Sequence, residues 1–483
     1  MKLKDLLRSI EYKSSEIGSD DIEVDGIACD SKAIKNGYLF IAVPGTKLDG
    51  HNFAGEAVER GAVAVVVQKD VVLADGIPKI YVKDSRYALA KIANEFYGKP
   101  SEKIKCIGIT GTNGKTTISY LMDSILSASG YKVGIIGTVN YRIGQRVIPA
   151  TNTTPGPIEL HNFISEMVQH SFDYSVIEIS SHSLDQRRVE GIKFEVGIFT
   201  NLSGDHLDYH KTLDEYFNAK AKLFEGLDKD SYAVINVDDE WGKKLLKRSK
   251  GKITTYGIKT NAMFIATQID LSLGGTKLVV QTPNGRTNIN TKLIGLHNVY
   301  NITASIAAGA CLGIPFDLIK DGVENLTSVP GRLEAIDCGQ PFKVFVDYAH
   351  TDDALHNVLS ALRPLISKRI IVAFGCGGER DRTKRPRMGR VAGELADFIV
   401  VTSDNPRSEE PESIAQEIAT GIEMKDYTII LDRAEAIKEA LSRAKEGDCV
   451  LIAGKGHEPY QVLKNTTVAF DDREVTKKIL CSM

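Results

Sequence analysis

Thr-Gly-Thr-Asn-Gly-Lys-Thr-Thr, residues 110–117, is the stretch that decides the fold. It follows an apolar run at 104–109, which predicts a buried strand, and it precedes apolar residues at helical spacing. A glycine-rich turn in that setting binds phosphates, because backbone N–H groups and the helix N-terminus point at the anion. Lys115 is then expected to reach the terminal phosphates and Thr116 to hold Mg²⁺. The alternative is a chance Gly-Lys-Thr, since the usual spacing would place glycine at residue 109, which is isoleucine.

Length and charge limit the kind of protein. A chain of 483 residues is too long for one core, and we expect three domains. With 25% charged residues and a formal net charge of −3, it offers neither a nucleic-acid surface nor a polybasic membrane anchor, so a small substrate is expected. The start carries charges too early for a signal peptide, which predicts a cytoplasmic protein. Its seven cysteines form no CxxC pair, which argues against a disulfide framework and a zinc site.

The order of strands and helices predicts an α/β fold. Residues 1–100 hold short mixed elements and end in a linker at Gly98-Lys99-Pro100. From 101 to 329, strands alternate with helices in the rhythm of a parallel sheet covered on both faces, with residues 252–294 as an antiparallel appendage. A second strand–helix series occupies residues 330–483.

Four strands of this last series run into polar motifs. These are Asp-Tyr-Ala-His (347–350), Gly-Cys-Gly-Gly-Glu-Arg (375–380), Asp-Asn-Pro-Arg (404–407) and Gly-Lys-Gly-His-Glu (454–458). Open parallel sheets bind ligands at the carboxyl ends of their strands, so the four motifs are expected to meet in one crevice. Ordinary turns rich in glycine and proline are the alternative.

Two charged residues stand in apolar surroundings. Glu178 lies near the carboxyl end of the otherwise apolar strand 174–179, beside the phosphate loop, where a carboxylate suits Mg²⁺. The alternative is a solvent-exposed glutamate at a strand end. Lys220 lies within an apolar stripe on a predicted helix, whose other members are Leu213, Tyr216, Phe217 and Phe224.

A buried ammonium ion must find a partner, lose its proton or be chemically altered. A neutral amine reacts with CO₂ to give an anionic carbamate, which can ligate Mg²⁺. We therefore predict that Lys220 is carbamylated and, with His206, holds a second Mg²⁺. A lysine that extends to solvent or pairs with an acid is the alternative.

Together the motifs resemble those of the Mur ligases of bacterial peptidoglycan synthesis. The resemblance covers nearly the whole chain. It rests on the phosphate loop, Asn-Thr-Thr-Pro (152–155), Glu-Ile-Ser-Ser-His-Ser-Leu-Asp-Gln-Arg-Arg (178–188), Asp-His-Leu-Asp-Tyr-His (205–210), Asn-Ala-Lys (218–220), Gly-Leu-His-Asn-Val-Tyr-Asn (295–301), Pro-Gly-Arg-Leu-Glu (330–334) and the four C-terminal motifs. It implies an N-terminal domain for a UDP moiety (1–100), a central ATP-binding domain (101–329) and a C-terminal Rossmann-like domain for an amino acid (330–483).

The resemblance also implies roles for individual residues. Catalysis would involve Lys115, Lys220, His206 and Glu178, and metal binding Thr116, Glu178, His206 and Lys220. ATP would contact Gly111, Thr112, Asn113, Gly114, Lys115, Thr116, Thr117, Asn298, Asn301, Arg332 and Asp347. The UDP-muramoyl-dipeptide would contact Ser31, the region 50–52, Asn152, Thr153, Thr154, Ser180, Gln186 and Arg188. One departure is Thr351-Asp352-Asp353, where the family usually has Thr-Pro-Asp, which puts only the local turn in doubt.

The chemistry implied needs no protein nucleophile. The free D-glutamyl carboxylate of UDP-N-acetylmuramoyl-L-alanyl-D-glutamate attacks the γ-phosphate of ATP, and an amine then displaces phosphate from the acyl phosphate. Lys115 and two Mg²⁺ ions would neutralise the transferring phosphoryl group, and domain closure would align the reactants. A monomer without membrane insertion is expected.

The incoming amino acid is expected to be meso-diaminopimelate. Members that add it resemble this chain at Asp-Asn-Pro-Arg, and a guanidinium at Arg407 can fork onto the second carboxylate that lysine lacks. The predicted pocket comprises Arg380, Asp404, Asn405, Pro406, Arg407, Gly454 and Glu458, with Glu458 on the distal ammonium. A lysine-adding member, in which Arg407 is an ordinary surface arginine, is the alternative.

Two rival functions remain from sequence. A folylpolyglutamate-synthase-like ligase would share the phosphate loop, but Asp-Asn-Pro-Arg and Asn-Thr-Thr-Pro speak against it. A P-loop ATPase that switches a partner protein would hydrolyse ATP without an amino acid.

Overall fold

The computed structural model describes residues 1–14, 21–45, 48–423 and 425–483, and within them also leaves aside the side chains of Leu207 and Asp208. The described residues form an α/β protein with three large sheets, as predicted, and a separate two-stranded ribbon. The domain boundaries after residues 100 and 329 fall between the large sheets and stay predictions. No helix in these ranges has both the length and the apolar character needed to cross a bilayer.

The first sheet has five strands in the order β1-β5-β4-β3-β2, with β1 antiparallel to its neighbour and the other pairs parallel. Its elements are α1 (Leu3–Leu6), β1 (Lys13–Ser14), β2 (Gly26–Ala28), β3 (Tyr38–Ile41), α2 (Ala54–Glu59), β4 (Ala62–Val67), β5 (Lys79–Tyr81) and α3 (Ser85–Phe96). Asp84 caps α3, because its carboxylate accepts the amide protons of Arg86 and Tyr87.

The central sheet has eleven strands in the order β16-β15-β14-β13-β12-β11-β6-β10-β7-β8-β9. Its elements are β6 (Lys105–Thr110), α4 (Lys115–Ala128), β7 (Val133–Ile136), β8 (Asn140–Ile143), β9 (Arg146–Pro149), α5 (Pro157–Gln169), β10 (Tyr174–Glu178), α6 (Ser181–Asp185), β11 (Phe194–Phe199), α7 (Leu207–His210), α8 (Leu213–Glu225), β12 (Tyr232–Asn236), α9 (Glu240–Leu245), β13 (Lys252–Gly257), β14 (Phe264–Ser272), β15 (Gly275–Thr282), β16 (Gly285–Thr291), α10 (Leu296–Cys311) and α11 (Phe316–Asn325).

Strand β6 is apolar nearly throughout because both faces of this sheet are covered. Ile107 and Ile109 belong to the core under α4, α10 and α11, whereas Cys106 belongs to the core under α5 and α8. Alternating side chains of a strand point to opposite faces, so each neighbour fills a different core.

The stretch 252–294 is antiparallel only in part, whereas we predicted an antiparallel appendage throughout. β13 pairs in parallel with β12, and β14 to β16 continue the same sheet, the last two pairings being antiparallel. The glycine turns in this stretch make hairpins, and these hairpins extend the central sheet on the side of β12.

The last large sheet has six strands in the order β17-β18-β22-β19-β20-β21. Its domain contains β17 (Glu334–Ala335), β18 (Lys343–Asp347), α12 (Asp352–Leu362), β19 (Ile370–Phe374), α13 (Lys384–Leu395), β20 (Phe398–Val401), α14 (Pro411–Ala419), β21 (Tyr427–Ile429), α15 (Arg433–Arg443), β22 (Cys449–Ala453), β23 (Tyr460–Leu463), β24 (Thr466–Ala469) and α16 (Asp472–Leu480). The strands that precede the four polar motifs, β18, β22, β19 and β20, are parallel neighbours, so their carboxyl ends share one edge.

The turn in doubt at Thr351-Asp352-Asp353 keeps a regular helix start. Thr351 caps α12 by accepting the amide proton of Ala354, and Asp352 occupies the first helical position. There it makes an ion pair of 2.9 Å with Arg387 of α13. A carboxylate is favourable at a helix N-terminus, so aspartate replaces proline without loss of the turn.

The chain leaves the central domain through a backbone-to-backbone contact. Gly331 has φ +65°, and its carbonyl accepts the Tyr348 amide proton at 2.9 Å. A Cβ on Gly331 would clash with the His457 amide nitrogen, and one on Gly456 would lie 2.8 Å from the Tyr348 nitrogen. Only glycine fits at either position, so the connection passes directly against the motif 454–458.

Candidate active site

The phosphate loop is stabilised by the side chain of Lys115 and by Thr200, the residue that follows β11. Gly111 and Gly114 have φ +148° and +92°, and a Cβ on Gly111 would clash with the Thr200 hydroxyl. The Thr200 hydroxyl donates to the Asn113 carbonyl at 2.6 Å. Lys115 Nζ donates to the carbonyls of Gly111 at 2.9 Å and Thr112 at 2.8 Å, and its burial lowers its pKa. The ammonium therefore lies inside the loop, where nucleotide phosphates would take over its donors.

Glu178 is buried rather than exposed at a strand end. It is 1% exposed, and its Oε2 accepts the hydroxyls of Thr116 at 2.9 Å and Thr138 at 2.8 Å. The Thr138 amide donates to Oε1 at 3.2 Å, and Ser119 lies 3.4 Å from the same atom. The first two residues of α4 after Lys115, Thr116 and Thr117, are both buried beneath the loop. A carboxylate and a threonine hydroxyl thus share one place beside the phosphate loop.

Lys220 is buried as the helical pattern predicts. It is 1% exposed, its Nζ donates to the Gly111 carbonyl at 2.9 Å, and it lies 4.4 Å from the centre of the Tyr216 ring. Burial, reinforced by the Lys115 ammonium, brings its pKa well below the ordinary value for a lysine. The neighbouring Lys222 instead reaches Asp185 at the surface, with a side chain 46% exposed. The extended, solvent-seeking alternative for Lys220 is therefore wrong.

His206 lies at the mouth of the same site. Its backbone has φ +55°, its amide donates to Asp205 Oδ1 at 2.8 Å, and its ring packs edge-on against His182 at 4.8 Å. The His206 side chain is 44% exposed, and partial desolvation lowers its pKa to about 4, with contributions from the His182 ring and the Lys220 ammonium. The ring is thus neutral at pH 7, the state in which imidazole ligates metals.

Magnesium fits the donors at this site. Among the described residues, no group of three or more His, Cys, Asp or Glu side chains is arranged to hold a metal ion. Mg²⁺ in nucleotide sites needs fewer protein ligands, because it is held by one or two carboxylates together with phosphates and water. The paired oxygens of Glu178 and Thr116 have that chemistry.

Residues predicted for the nucleotide come from both sides of the crevice. Arg332, just past the central domain, donates from Nη2 to the Thr116 hydroxyl at 3.1 Å, and its Nε is buried without a partner. Asn301 lies against Gly114 and donates to Asn298 Oδ1 at 3.0 Å. Asp347 accepts the amide protons of Leu333 and Ala349, both at 2.7 Å, so its carboxylate also fixes the turn beside Arg332.

The six residues predicted for the muramoyl-dipeptide lie together at the carboxyl edge of β10. Thr154 donates to the Glu178 carbonyl at 2.8 Å and accepts the Ser180 amide proton at 3.1 Å. Arg188 donates from Nη1 to the Thr154 carbonyl and from Nη2 to Gln186 Oε1, each at 2.8 Å. The other two are Thr153, whose hydroxyl lies 3.1 Å from that of Thr138, and Asn152, whose carbonyl accepts the Tyr141 hydroxyl at 2.6 Å.

The first domain places its predicted residues away from that cluster. Ser31 donates to Glu56 Oε2 at 2.9 Å. In the stretch 50–52, His51 is buried, with Nδ1 2.6 Å from Asp49 Oδ1 and Nε2 accepting the Gln68 amide proton at 3.0 Å. Both ring nitrogens of His51 are therefore used to join β4 to the turn, which is a structural role.

The four C-terminal motifs meet as predicted and form a polar pocket. Asp404 is buried, and its Oδ2 has no hydrogen-bond partner. Gly454 has φ +116°, and a Cβ there would lie 2.6 Å from Asp404 Oδ2. Asn405 Nδ2 donates to Glu458 Oε2 at 2.9 Å. A buried carboxylate oxygen without a partner is costly, so Asp404 is placed to accept a hydrogen bond from a ligand amine.

Two arginines border this pocket. Arg407 has φ +55° and donates from Nη1 to the Gly378 carbonyl at 2.7 Å. Pro406 is buried, and its carbonyl lies so close to Gly378 that no side chain fits there. Arg380 is exposed, with its Cγ 3.7 Å from the position of a Cβ on Gly377, beside Arg407. Arg407 is thus anchored to the loop 375–380 and is not a loose surface side chain.

Sequence reasoning missed three polar residues of the crevice. Thr138 binds Glu178 through its hydroxyl and its amide. Asp353 accepts from Asn113 Nδ2 at 2.6 Å and from the Ser203 hydroxyl at 2.9 Å, across the two domains. Lys455 is fully buried between Asn405 and Glu458. Lys455 and Asp353 stood in stretches that we quoted, but Asn405 lies 50 positions from Lys455 and Asn113 lies 240 positions from Asp353.

Comparison with known proteins matches all three regions of the chain. Residues 23–97 match the domain described as Mur ligase family, catalytic domain, residues 109–309 match the Mur ligase middle domain, and residues 331–456 match the Mur ligase, glutamate ligase domain.

Individual relatives match over nearly the full length. A UDP-N-acetylmuramoyl-L-alanyl-D-glutamate–2,6-diaminopimelate ligase of Caldanaerobacter subterraneus subsp. tengcongensis is 45% identical over 482 residues, which is 99% of each chain. A protein of the same name from Aquifex aeolicus is 48% identical over 458 residues, 95% of this chain and 94% of its own. A solved structure of a ligase with that name has a TM-score of 0.72 at 32% identity, covering 100% of this chain and 99% of its own. The phosphate loop, the crevice and these full-length matches lead to one conclusion: the chain belongs to the Mur ligase family.

Proposed function

We propose that this chain is the ATP-dependent ligase that adds meso-2,6-diaminopimelate to UDP-N-acetylmuramoyl-L-alanyl-D-glutamate. The central observation is the crevice in which Arg332 and Asp353 of the last domain contact Thr116 and Asn113 of the phosphate loop. The residues predicted for the amino acid follow neighbouring parallel strands at one edge of the last large sheet. The names of the relatives at 45% and 48% identity support the same substrates.

The reaction proceeds in two displacements. A carboxylate oxygen of the D-glutamyl residue attacks the γ-phosphorus of ATP and ADP leaves, which gives an acyl phosphate. The amine of the amino acid then attacks the acyl carbon, the C–O bond to phosphate breaks, and inorganic phosphate leaves. Lys115 moves its donors from the Gly111 and Thr112 carbonyls to the phosphates, and Arg332 adds positive charge from the other domain.

Magnesium would be held by Glu178 and Thr116, and a second ion by His206 and a carbamate on Lys220. These ions supply charge neutralisation of the phosphoryl group. The lowered pKa of Lys220 supports the carbamate, because the unprotonated amine is the form that reacts with CO₂. Glu178, Thr138 and Thr116 hold their oxygens in place through the hydrogen bonds that link them.

The pocket residues support diaminopimelate over lysine. Asp404 offers an unpartnered carboxylate oxygen to an amine, and Arg407 borders the pocket with a guanidinium whose position the Gly378 carbonyl fixes. Diaminopimelate brings two carboxylates and two amines, and lysine brings only one carboxylate. We further propose that the protein works as a cytoplasmic monomer.

Phosphate release tests this function. Purified protein with ATP, Mg²⁺ and the UDP-muramoyl-dipeptide should release phosphate with diaminopimelate, and far less with lysine, ornithine or glutamate. Mass spectrometry of the nucleotide product should show that one diaminopimelate has been added. Phosphate release without any amino acid would indicate a switching ATPase instead, and equal use of lysine would overturn the amino-acid assignment.

A further inference from the structure

Lys455 is a buried cation that the function above does not use. It follows Gly454 in the loop after β22, and its side chain is 0% exposed. Its Nζ lies 3.1 Å from Asn405 Oδ1 and 3.1 Å from Glu458 Oε2. Burial of an ammonium is costly, so these two oxygens must compensate it, and both belong to the amino-acid pocket.

Lys455 and the Val462 amide together determine which way the Asn405 amide faces. A lysine ammonium can only donate, so it binds the amide oxygen, which also accepts the Val462 amide proton at 2.9 Å. The Asn405 amide nitrogen then points to Glu458 Oε2 at 2.9 Å. Lys455, Asn405 and Glu458 thus form a closed ring of three hydrogen bonds.

The same ring commits one oxygen of Glu458 and leaves the other for a ligand. Oε2 accepts from both Lys455 and Asn405, whereas Oε1 has only a long contact of 3.5 Å with the Tyr348 hydroxyl. The Glu458 side chain is 17% exposed, so it is held within the fold but stays partly accessible to a ligand. A ligand ammonium would therefore meet a carboxylate whose charge Lys455 already offsets.

Charge balance in the pocket follows from these contacts. The predicted pocket residues together with Lys455 comprise two carboxylates, Asp404 and Glu458, and three cations, Arg380, Arg407 and Lys455, which sum to one positive charge. The buried ion pair of Arg433 with Asp472 lies close to both carboxylates and adds no net charge. A ligand end that carries an ammonium beside a carboxylate is neutral and fits this balance. A bare ammonium adds to the excess and is repelled.

We propose that Lys455 is a positioning residue that sets amino-acid selectivity, because it orients Asn405 and offsets the charge of Glu458. The pocket then favours an amino acid whose distal end bears both ammonium and carboxylate over one that ends in a bare ammonium. This inference rests on the proposed function, and its test begins with that function.

The experiment measures kcat and KM of Lys455→Gln and Lys455→Met with diaminopimelate and with lysine. Glutamine keeps a donor for Glu458 without the charge, and methionine removes both. We expect kcat/KM for diaminopimelate relative to lysine to fall at least about tenfold in both variants, with KM for diaminopimelate raised. The KM values for ATP and the UDP-muramoyl-dipeptide should stay within about twofold of wild type.

Lys464→Met is the matched control. Lys464 lies in the turn between β23 and β24, with a side chain 66% exposed and a 3.5 Å ion pair to Glu410. Its substitution should leave kcat and KM unchanged for both diaminopimelate and lysine. If Lys455→Met does not fold, as judged by circular dichroism and melting temperature, the decision passes to Lys455→Gln, which keeps a hydrogen-bond donor in the buried position.

The outcomes separate the inference from the function on which it rests. Wild-type protein that joins no amino acid would refute the proposed function. An active wild type whose selectivity is unchanged in a folded Lys455→Gln variant would overturn only the role of Lys455. Equal losses for every substrate would show that Lys455 merely supports the fold, which also overturns the proposal.

Discussion

Lys220 shows how far one side chain can be predicted and what it should do. Its helical offset from Tyr216 and Phe217 predicted its burial, which the structure confirms at 1% exposure. Removal of bicarbonate should lower the activity and its return should restore it, because a carbamate is stable only while CO₂ is available. Lys220→Arg should be inactive, since a guanidinium cannot form the carbamate.

Lys222→Arg is the control for this prediction, because Lys222 lies on the same helix but reaches Asp185 at the surface. The measurements are phosphate release in degassed and bicarbonate-supplemented buffer and a carbon-13 carbamate signal from labelled bicarbonate. Full activity in Lys220→Arg, or activity indifferent to bicarbonate, would contradict the carbamate.

Arg407 should carry much of the preference for a second carboxylate. Arg407→Ala should weaken the use of diaminopimelate by about 2–3 kcal/mol, because a charge-assisted bidentate contact is lost. The constant to measure is kcat/KM for diaminopimelate, with KM for ATP unchanged. Arg390→Ala, at an exposed position of α13, should have no effect. Unchanged kinetics in Arg407→Ala would remove the guanidinium from the amino-acid site.

Other single residues escaped prediction because their partners are distant in sequence. The pairing of Asn113 with Asp353 spans 240 positions, and that of Lys455 with Asn405 spans 50. Sequence periodicity predicts which side chains of one element are buried, but it does not predict which side chains of another element they contact. Lys220 could be found because its own helix revealed its surroundings.

At the scale of elements, helix α5 carries a buried histidine against α3. His161 is 0% exposed, and neither ring nitrogen has a hydrogen-bond partner. Burial lowers its pKa from 6.5 to about 4, and the Lys91 ammonium of α3 contributes. Between these values the unfolded chain binds a proton that the folded chain refuses, so stability falls as pH drops from 6.5 towards 4.

His161→Leu should remove this part of the acid sensitivity, which amounts to at most about 3 kcal/mol. The melting temperature of the variant should therefore decline less than that of wild type between pH 7 and about 4.5. His210, His297 and His457 also have lowered pKa values, so some sensitivity remains. His170→Leu, exposed at the end of the same helix, should follow wild type. Parallel curves for His161→Leu and wild type would refute the prediction.

Strand positions were more predictable than strand pairing. The apolar runs 62–67, 370–374, 398–401 and 449–453 of the sequence all form strands, because a strand buried on both faces is apolar throughout. In the stretch 252–294, local turn signals predicted the antiparallel hairpins, but the parallel pairing of β13 with β12 was not predicted, because turn signals do not report which strand edge is free. The order of strands in a sheet depends on which strand edges are free, and the sequence of a single element does not indicate this.

For the whole molecule, Asp353 links the last domain to the phosphate loop. Its carboxylate accepts from both Asn113 and Ser203 of the central domain. Asp353→Ala should lower kcat about tenfold, equivalent to about 1.4 kcal/mol, because the closed arrangement loses two hydrogen bonds. X-ray scattering with ATP bound should also show a larger radius of gyration than for wild type.

Asp352→Ala provides the comparison, because Asp352 pairs with Arg387 inside the last domain and does not cross the crevice. It should keep both kcat and the compact shape. If Asp353→Ala is as compact and as fast as wild type, the contact across the crevice does not govern closure.

The arrangement of the three large sheets was predictable in outline, because the motifs identified the family and strand ends identified the crevice. Contacts between domains were not, since they depend on how complete domains dock. Arg332 was expected near the nucleotide, but its bond to Thr116 emerges only when both domains are present.

The paired glycines at 331 and 456 have a mechanical consequence. Backbone atoms contact backbone atoms directly at these two glycines, and no side chain lies between them. The link into the last domain therefore lies directly against the loop 454–458, which carries two residues of the predicted amino-acid site. A side chain at either glycine is expected to disturb the domain connection and amino-acid binding together, so engineering of this protein for other amino acids should leave both positions unchanged.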